Sequence, residues 1–295
     1  MSFRAGYVAL AGRPNVGKST LLNRLLGQKL AITSHKPQTT RHSILGINTL
    51  PEGQILYLDT PGIHKRGDRA LNRYLNRAAA GALSGVDLVA MLVEAGRWTA
   101  EDDLVLERVR ESRRPALLVV NKIDLVKPRE RLLPILDELH KRTGFEEIVP
   151  VSARSGENCD ELERVILAQL PEGEPFYPED QLTDRSSRFL AAELIREQLT
   201  RRYHKELPYA LTVEVEQFSE RPHLLRIGAV IWVERPNQKA ILLGRGGQAM
   251  KETATAARQA LEEFFGRKVY LQLWVKVRKS WSSDRESLAR LGYVE

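Results

Sequence analysis

Cysteine is almost absent. Cys159 stands alone in 295 residues, so no internal disulfide and no cysteine-rich zinc site can form. Such a chain fits a reducing compartment, and a cytoplasmic location is expected. Long apolar runs are missing too: Leu88 to Val93 falls far short of the roughly 20 apolar residues that a membrane span needs. The start, MSFRAGYVAL, lacks the basic head, apolar stretch and small-residue cleavage site of a secretory leader, so none is expected. No internal repeat or low-complexity tract is present. At 42% hydrophobic and 28% charged residues, the composition excludes a fibrous or disordered chain. The length suits two compact domains.

Pro171–Asp180, PEGEPFYPED, holds three prolines and four acids and cannot form a regular helix or strand. It is expected as a linker (171–180) between a domain over 1–170 and another over 181–295. In the first, short apolar strands (Tyr7–Ala11, Ser43–Thr49, Gln54–Asp59, Asp87–Val93, Ala116–Val120, Ile148–Val151) alternate with helical stretches near 101–112, 129–143 and 158–169. That alternation predicts an α/β domain with a mostly parallel sheet covered by helices on both faces. In the second, helical spacing from Leu190 to Tyr203 precedes three strands of alternating apolar residues and a helix face of Met250, Ala254, Ala257 and Leu261. This predicts a smaller α+β domain with one sheet face open. The charge is uneven: 25 basic and 24 acidic side chains up to residue 180, against 20 and 14 beyond it. The second domain is therefore expected to meet a polyanion, either nucleic acid or an anionic membrane face.

Gly12-Arg13-Pro14-Asn15-Val16-Gly17-Lys18-Ser19-Thr20 follows a strand and opens a helix over Thr20–Leu26. Glycines there let successive backbone N–H groups curl around a phosphate, and the helix N-terminus adds positive potential. Lys18 is expected on the β- and γ-phosphates and the Ser19 hydroxyl on Mg²⁺. Asp59-Thr60-Pro61-Gly62 ends an apolar strand, where the carboxylate can approach Mg²⁺ and the Gly62 N–H can sense the γ-phosphate. Asn121-Lys122-Ile123-Asp124 follows the strand ALLVV. A carboxylate at Asp124 accepts from both N1–H and the amino group of guanine, whereas adenine presents an acceptor at N1. Ser152-Ala153-Arg154 is expected to place backbone N–H near guanine O6. Together these predict a GTP/GDP site. Of the loop threonines in Pro37-Gln38-Thr39-Thr40-Arg41, Thr40 rather than Thr39 is expected to complete the Mg²⁺ shell.

The position after Gly62, where many GTPases carry a water-orienting glutamine, is Ile63, which can neither donate nor accept a hydrogen bond. Slow hydrolysis is expected, through phosphate positioning and metal charge. As in GTPases with this type of loop, a monovalent cation such as K⁺, held partly by Asn15, is expected to supply further positive charge. Lys18, Thr40, Gly62 and Asn15 are thus the candidate catalytic groups.

Gly244-Arg245-Gly246-Gly247 is read as joining an apolar strand, KAILL, to the Met250 helix. A GxxG turn in a small α+β domain is the loop that grips four nucleotides in KH domains. Arg245 and Lys251 are candidate RNA contacts, with Lys239, Arg226 and Lys276 flanking the cleft.

One GTPase domain followed by a basic domain of type II KH character resembles the bacterial Era GTPases along essentially the whole chain. The segments carrying the resemblance are GRPNVGKST (12–20), KPQTTR (36–41), DTPGIH (59–64), NKID (121–124), SARSG (152–156) and GRGG (244–247). It implies binding near the 3′ end of small-subunit (16S) ribosomal RNA and help in assembly of the small ribosomal subunit. It also implies peripheral association with the cytoplasmic face of the inner membrane. A monomer is expected. Two other functions fit the residues less well: a signalling GTPase whose basic domain binds anionic lipid, and a GTP-regulated protein scaffold, which the intact GxxG disfavours. A ribosome GTPase with two GTPase domains is excluded, because GxxxxGK[ST] occurs once. Asp124→Asn is expected to shift preference from guanine to xanthine nucleotides, read by competition binding; unchanged GTP preference would remove Asp124 from base reading.

Overall fold

A computed structural model describes residues 2–34, 36, 39–62, 70–290 and 293. The chain divides into two units. One comprises residues 1–67 and 75–184, and the other residues 68–74 and 185–295.

The first unit is built on strands β1 (Arg4–Ala11), β2 (Ile44–Leu50), β3 (Gly53–Asp59), β4 (Leu88–Glu94), β5 (Ala116–Asn121) and β6 (Ile148–Pro150). Their order across the sheet is β2-β3-β1-β4-β5-β6. Only β2 runs antiparallel to its neighbour; the other pairs are parallel. Helices α1 (Lys18–Leu25), α2 (Ala70–Ser84), α3 (Ala100–Ser112), α4 (Leu132–Thr143) and α5 (Cys159–Gln169) supply the crossovers. Leu88 to Val93 are fully buried, which is why β4 reads as an unbroken apolar run rather than an alternating one. Thr99 and Asp102 form a capping box that starts α3, and Gly144, in the left-handed region, ends α4. The segments after β1, β3, β5 and β6 leave the carboxyl ends of parallel strands, where open α/β sheets gather ligands, while Thr40 lies on the connection from α1 into the antiparallel β2.

The helix expected near 129–143 is split into a single turn, Arg129–Arg131, and α4. Helix α2 has no counterpart in the sequence reading. The proline-rich segment contains no helix or strand, yet it is fastened. The Gln54 side chain accepts from Phe176 N (2.8 Å) and Tyr177 N (3.0 Å) and donates to Tyr177 O (2.8 Å).

The second unit runs α6 (Ser187–Arg202), β7 (Leu211–Arg221), β8 (Leu224–Val233), α7 (Pro236–Leu243), α8 (Gln248–Phe265), β9 (Lys268–Val277) and α9 (Arg285–Arg290). Its sheet is ordered β7-β8-β9, with β7 antiparallel and β9 parallel to β8. Leu225, Ile227, Ala229, Ile231 and Val233 of β8 pack with Leu194, Leu199, Met250, Ala257 and Leu261 of the helices. One sheet face is thus covered, by period-2 alternation against period-3.6 helix stripes.

KAILL is helical, not a strand: Pro236 at the first helical turn and a capping interaction between Arg235 and Gln238 launch α7 through it. The GxxG turn therefore joins two helices. The C-terminal segment adds a second patch of packing. Trp281 is buried, donates from Nε1 to Ala210 O at 3.1 Å, and stacks on Tyr293. The first turn of α2 also counts with this unit: Leu71 N donates to Ser282 O at 3.1 Å, and Tyr74 meets Tyr293 edge-on at 5.7 Å.

Candidate functional site

The loop from Gly12 to Gly17 turns directly from β1 into α1. Each of its glycines is forced by neighbours. A Cβ on Gly17, at φ +110°, would come within 2.2 Å of Asn121 Nδ2, and one on Gly12 within 2.8 Å of Leu92 O. Asn15 is exposed at φ +61°, a region asparagine tolerates better than most residues. Val16 is buried, Pro14 is half-buried, and Thr20 lies in the first turn of α1. Gly62 lies over this loop, since a Cβ there would meet Pro14 Cγ at 2.9 Å.

Lys18 is buried, with Nζ donating to Gly12 O (2.8 Å) and Arg13 O (3.1 Å). Burial lowers its pKa to about 8; Asp59 pulls it up and Arg13 pushes it further down. Ser19, Thr40 and Asp59 converge. Ser19 Oγ donates to Asp59 Oδ2 at 2.6 Å and lies 2.9 Å from Thr40 Oγ1. Burial raises the Asp59 pKa, opposed by Lys18 and the two hydroxyls, and its Oδ1 is buried without a hydrogen-bond partner. Thr39 instead turns its hydroxyl to Lys36 O at 2.6 Å. Thr60 Oγ1 donates to Leu10 O (2.9 Å) and Pro61 is buried, which pins the end of β3. Ile63 lies outside the described residues.

The base-reading loops are held by side chains. Asn121 Nδ2 donates to Val16 O (2.8 Å), while its Oδ1 accepts from Lys122 N (2.8 Å) and Ala153 N (3.0 Å). Asp124 Oδ1 accepts from Ser152 Oγ at 2.7 Å. The carbonyl of Arg154 accepts from Arg24 at 2.7 Å.

Arg24, Glu94 and Asp102 were not anticipated as supports. Arg13 donates to Glu94 Oε2 (2.8 Å) and to the buried Asp102 (3.1 Å), and Lys122 donates to the same Glu94 oxygen (3.0 Å). Burial pushes the Glu94 carboxyl up, but the bonds from Lys122 and Arg13 outweigh it and hold the group below the usual range. Only the Thr99–Asp102 capping box had a local sequence signal. Cys159 is buried and its thiol is pushed up to about 11 by that burial, the behaviour of a packing residue. No His/Cys/Asp/Glu cluster able to hold a metal occurs among the described residues.

In the second unit Gly244, Gly246 and Gly247 have φ of +70°, +57° and +78°. A Cβ on Gly244 would sit 2.6 Å from that of Ala249, so the turn into α8 requires glycine. Arg245 and Lys251 are exposed beside it. Arg226 and Lys276 do not flank this turn's side of the sheet. They alternate with Ile227 and Val275, whose side chains join the core under the helices, so they project from the opposite face.

The Lys18 ammonium is half charged near pH 8 and loses its charge above it, and a bound phosphate favours the charged form. Nucleotide binding above the free pKa therefore takes up a proton, and affinity falls by up to about tenfold per pH unit. Titrating GDP from about pH 7 to about pH 9, in two buffers of different ionisation heat, checks this. Constant affinity without proton uptake would contradict the buried-lysine account.

A family profile described as a 50S ribosome-binding GTPase matches residues 7–122, and a KH-domain profile matches residues 206–282. The GTPase Era of Ectopseudomonas mendocina (strain ymp) is 55% identical over 292 residues, covering 99% of this chain and 98% of that protein. That of Azotobacter vinelandii (strain DJ / ATCC BAA-1303) is 54% identical over 292 residues, covering 99% and 97%. A crystal structure of Era in complex with MgGDPNP and nucleotides 1506–1542 of 16S ribosomal RNA matches with a TM-score of 0.95 at 41% identity, covering 99% of this chain and 100% of that one. A variant of Aquifex aeolicus Era bound to GDP and AlF4⁻ matches with the same TM-score, identity and coverage. With more than half of the residues identical along nearly the full length of both proteins, this chain belongs to the Era family of GTPases.

Proposed function

We propose that this GTPase is a nucleotide-dependent switch that binds 16S ribosomal RNA near its 3′ end and assists maturation of the small ribosomal subunit. The observation that carries the RNA reading is the GxxG turn. Three glycines at positive φ strip side chains from the entrance to α8, so a sugar-phosphate backbone can approach, with Arg245 and Lys251 alongside. The similar Era crystallised with a 16S fragment supports the choice of RNA.

At the nucleotide, the loop amides and Lys18 orient the phosphates, Asp124 reads the guanine edge, and the Gly62 N–H faces the γ-phosphate. Ser19, Thr40 and Asp59 would hold Mg²⁺. They are hard oxygen donors brought together in one place, and Asp59 Oδ1 is buried without a hydrogen-bond partner. When bound, the ion neutralises charge on the β- and γ-phosphates. Asn15, exposed on the loop, would hold part of a K⁺ shell. Comparing GTP turnover in K⁺ and Na⁺ tests that role; equal rates would remove it.

The chain that follows Gly62 reaches, at Ala70–Tyr74, residues that count with the second unit. This favours coupling between nucleotide state and RNA affinity by shifted populations. No helix among the described residues is long and apolar enough to cross a membrane. The peripheral membrane contact is accordingly proposed as a charge contact of the basic second unit; failure to co-sediment with acidic vesicles would remove it. The switch itself is tested by the affinity of the full chain for single-stranded RNA, at fixed salt, with a GTP analogue against GDP. A difference of about five- to a hundredfold is expected, and identical affinities would sink the coupling.

A further inference from the structure

The face of the β7-β8-β9 sheet turned away from the helices carries an aromatic array that the GxxG turn does not use. Tyr270 and Trp274 of β9 are 49% and 44% exposed, among the largest exposed apolar side chains of the described residues. In the parallel register Tyr270 lies beside Arg226, Gln272 beside Gly228, Trp274 beside Val230 and Lys276 beside Trp232. Period-2 alternation puts all eight on one face. The Arg226 guanidinium sits 5.7 Å from the Tyr270 ring centroid and Lys276 Nζ 5.5 Å from that of Trp232. Glu214 fixes Trp232 by accepting from its indole N–H at 2.7 Å.

Gly228, in the middle of β8, makes room for this array. A Cβ there would come within 3.2 Å of Trp274 Cζ3, so the indole reaches over the bare backbone of the neighbouring strand. Rings on a sheet face, separated along the strand by a polar Gln272 and flanked by cations, offer flat stacking surfaces with positive charge alongside. They match the arrangement with which sheet platforms stack unpaired bases.

We propose that this face is a second single-stranded RNA site. Tyr270 and Trp274 stack bases, and Arg226 and Lys276 meet the adjoining phosphates. Glu214 holds the Trp232 indole and Glu216 pairs with Lys276 at 3.3 Å, so Lys276 has to exchange that exposed partner for a phosphate, whereas Arg226, over the Tyr270 ring, needs no such exchange. The inference rests on the RNA reading above and extends it. A GxxG cleft holds about four nucleotides, so a longer strand has further bases to place, and the open face receives them.

The test uses the full chain with a GTP analogue and two dye-labelled single-stranded RNAs, of about four and about twelve nucleotides, spanning cleft-only and extended contact. The Tyr270→Ala/Trp274→Ala double variant is expected to weaken binding of the longer RNA by about ten- to a hundredfold and leave the shorter unchanged. Trp274→Phe, which keeps a stacking ring, is expected to retain affinity, whereas Trp274→Leu, apolar but not flat, is expected to lose it. Unchanged binding of the longer RNA, as for a face that serves a protein, would overturn the proposal. So would equal weakening of both RNAs, which would mean that the substitutions disturb the whole domain. If the unsubstituted chain binds neither RNA, the RNA reading itself fails, and that result is distinct from a loss confined to the variants.

Discussion

The carboxamide of Asn121, at the end of β5, spans two halves of the nucleotide site. It donates to the phosphate loop at Val16 O and accepts from the base-reading loop at Ala153 N. Both halves must hold their spacing for one ligand to touch phosphate amides and guanine edge together. Leaving a buried partner of such a bond unsatisfied costs about 1–3 kcal/mol. An aspartate here would keep the acceptor and lose the donor to Val16; a leucine would lose both. Gly17 follows from the same contact, because any Cβ on it would collide with the amide. The glycine that bares the loop to a phosphate is also what lets Asn121 come close.

Around that brace, charge is arranged by burial as much as by pairing. Lys18 and Asp59 are both buried and both shifted against their charged forms, so each favours a ligand that brings the opposite sign. Arg13 is treated differently, with two carboxylates committed to it from β4 and α3. Its side chain is committed within the protein: the guanidinium ties the phosphate loop to the adjacent strand and helix. A buried arginine without those partners would cost several kcal/mol. Preorganisation of this kind lets loop amides meet a phosphate without rearranging when it arrives.

The segments that the fold gathers at the candidate nucleotide site were legible as candidates because each is a short local motif whose spacing suggests its chemistry: the phosphate loop, DTPG, NKID and SAR. Their supports were not. Arg24, Glu94 and Asp102 reach the loops from distant parts of the sequence, and nothing local announces such a meeting. The strands were readable by their apolar runs, to within a few residues. KAILL was misread because five residues without a charged partner pattern suit a strand or a short helix equally. Pro236 and the Gln238 cap, just upstream, decide for the helix. Trp281 and Tyr293 escaped notice because their burial depends on packing that no periodicity marks.

The sheet of the second unit shows what alternation can and cannot reveal. Leu225 to Val233 was readable as a strand with one buried face, and the other face was expected to be open. Which charges lay on that open side was readable too, yet Arg226 and Lys276 were assigned to the cleft because they are basic, not because of their parity. Parity is the stronger constraint: a one-residue offset reverses the face. Once they are placed opposite the helices, the residues beside them are aromatic. Half-exposed rings forgo part of the roughly 1.5–3 kcal/mol that full burial of a large apolar side chain would contribute. A mid-strand glycine at Gly228 adds a further cost of about 0.5–1 kcal/mol. Folding recovers part of that cost, since Val230 on this same face is fully buried and the Trp274 indole packs over Gly228. What stays exposed, the outer parts of Tyr270 and Trp274, is the part of the face available to a ligand.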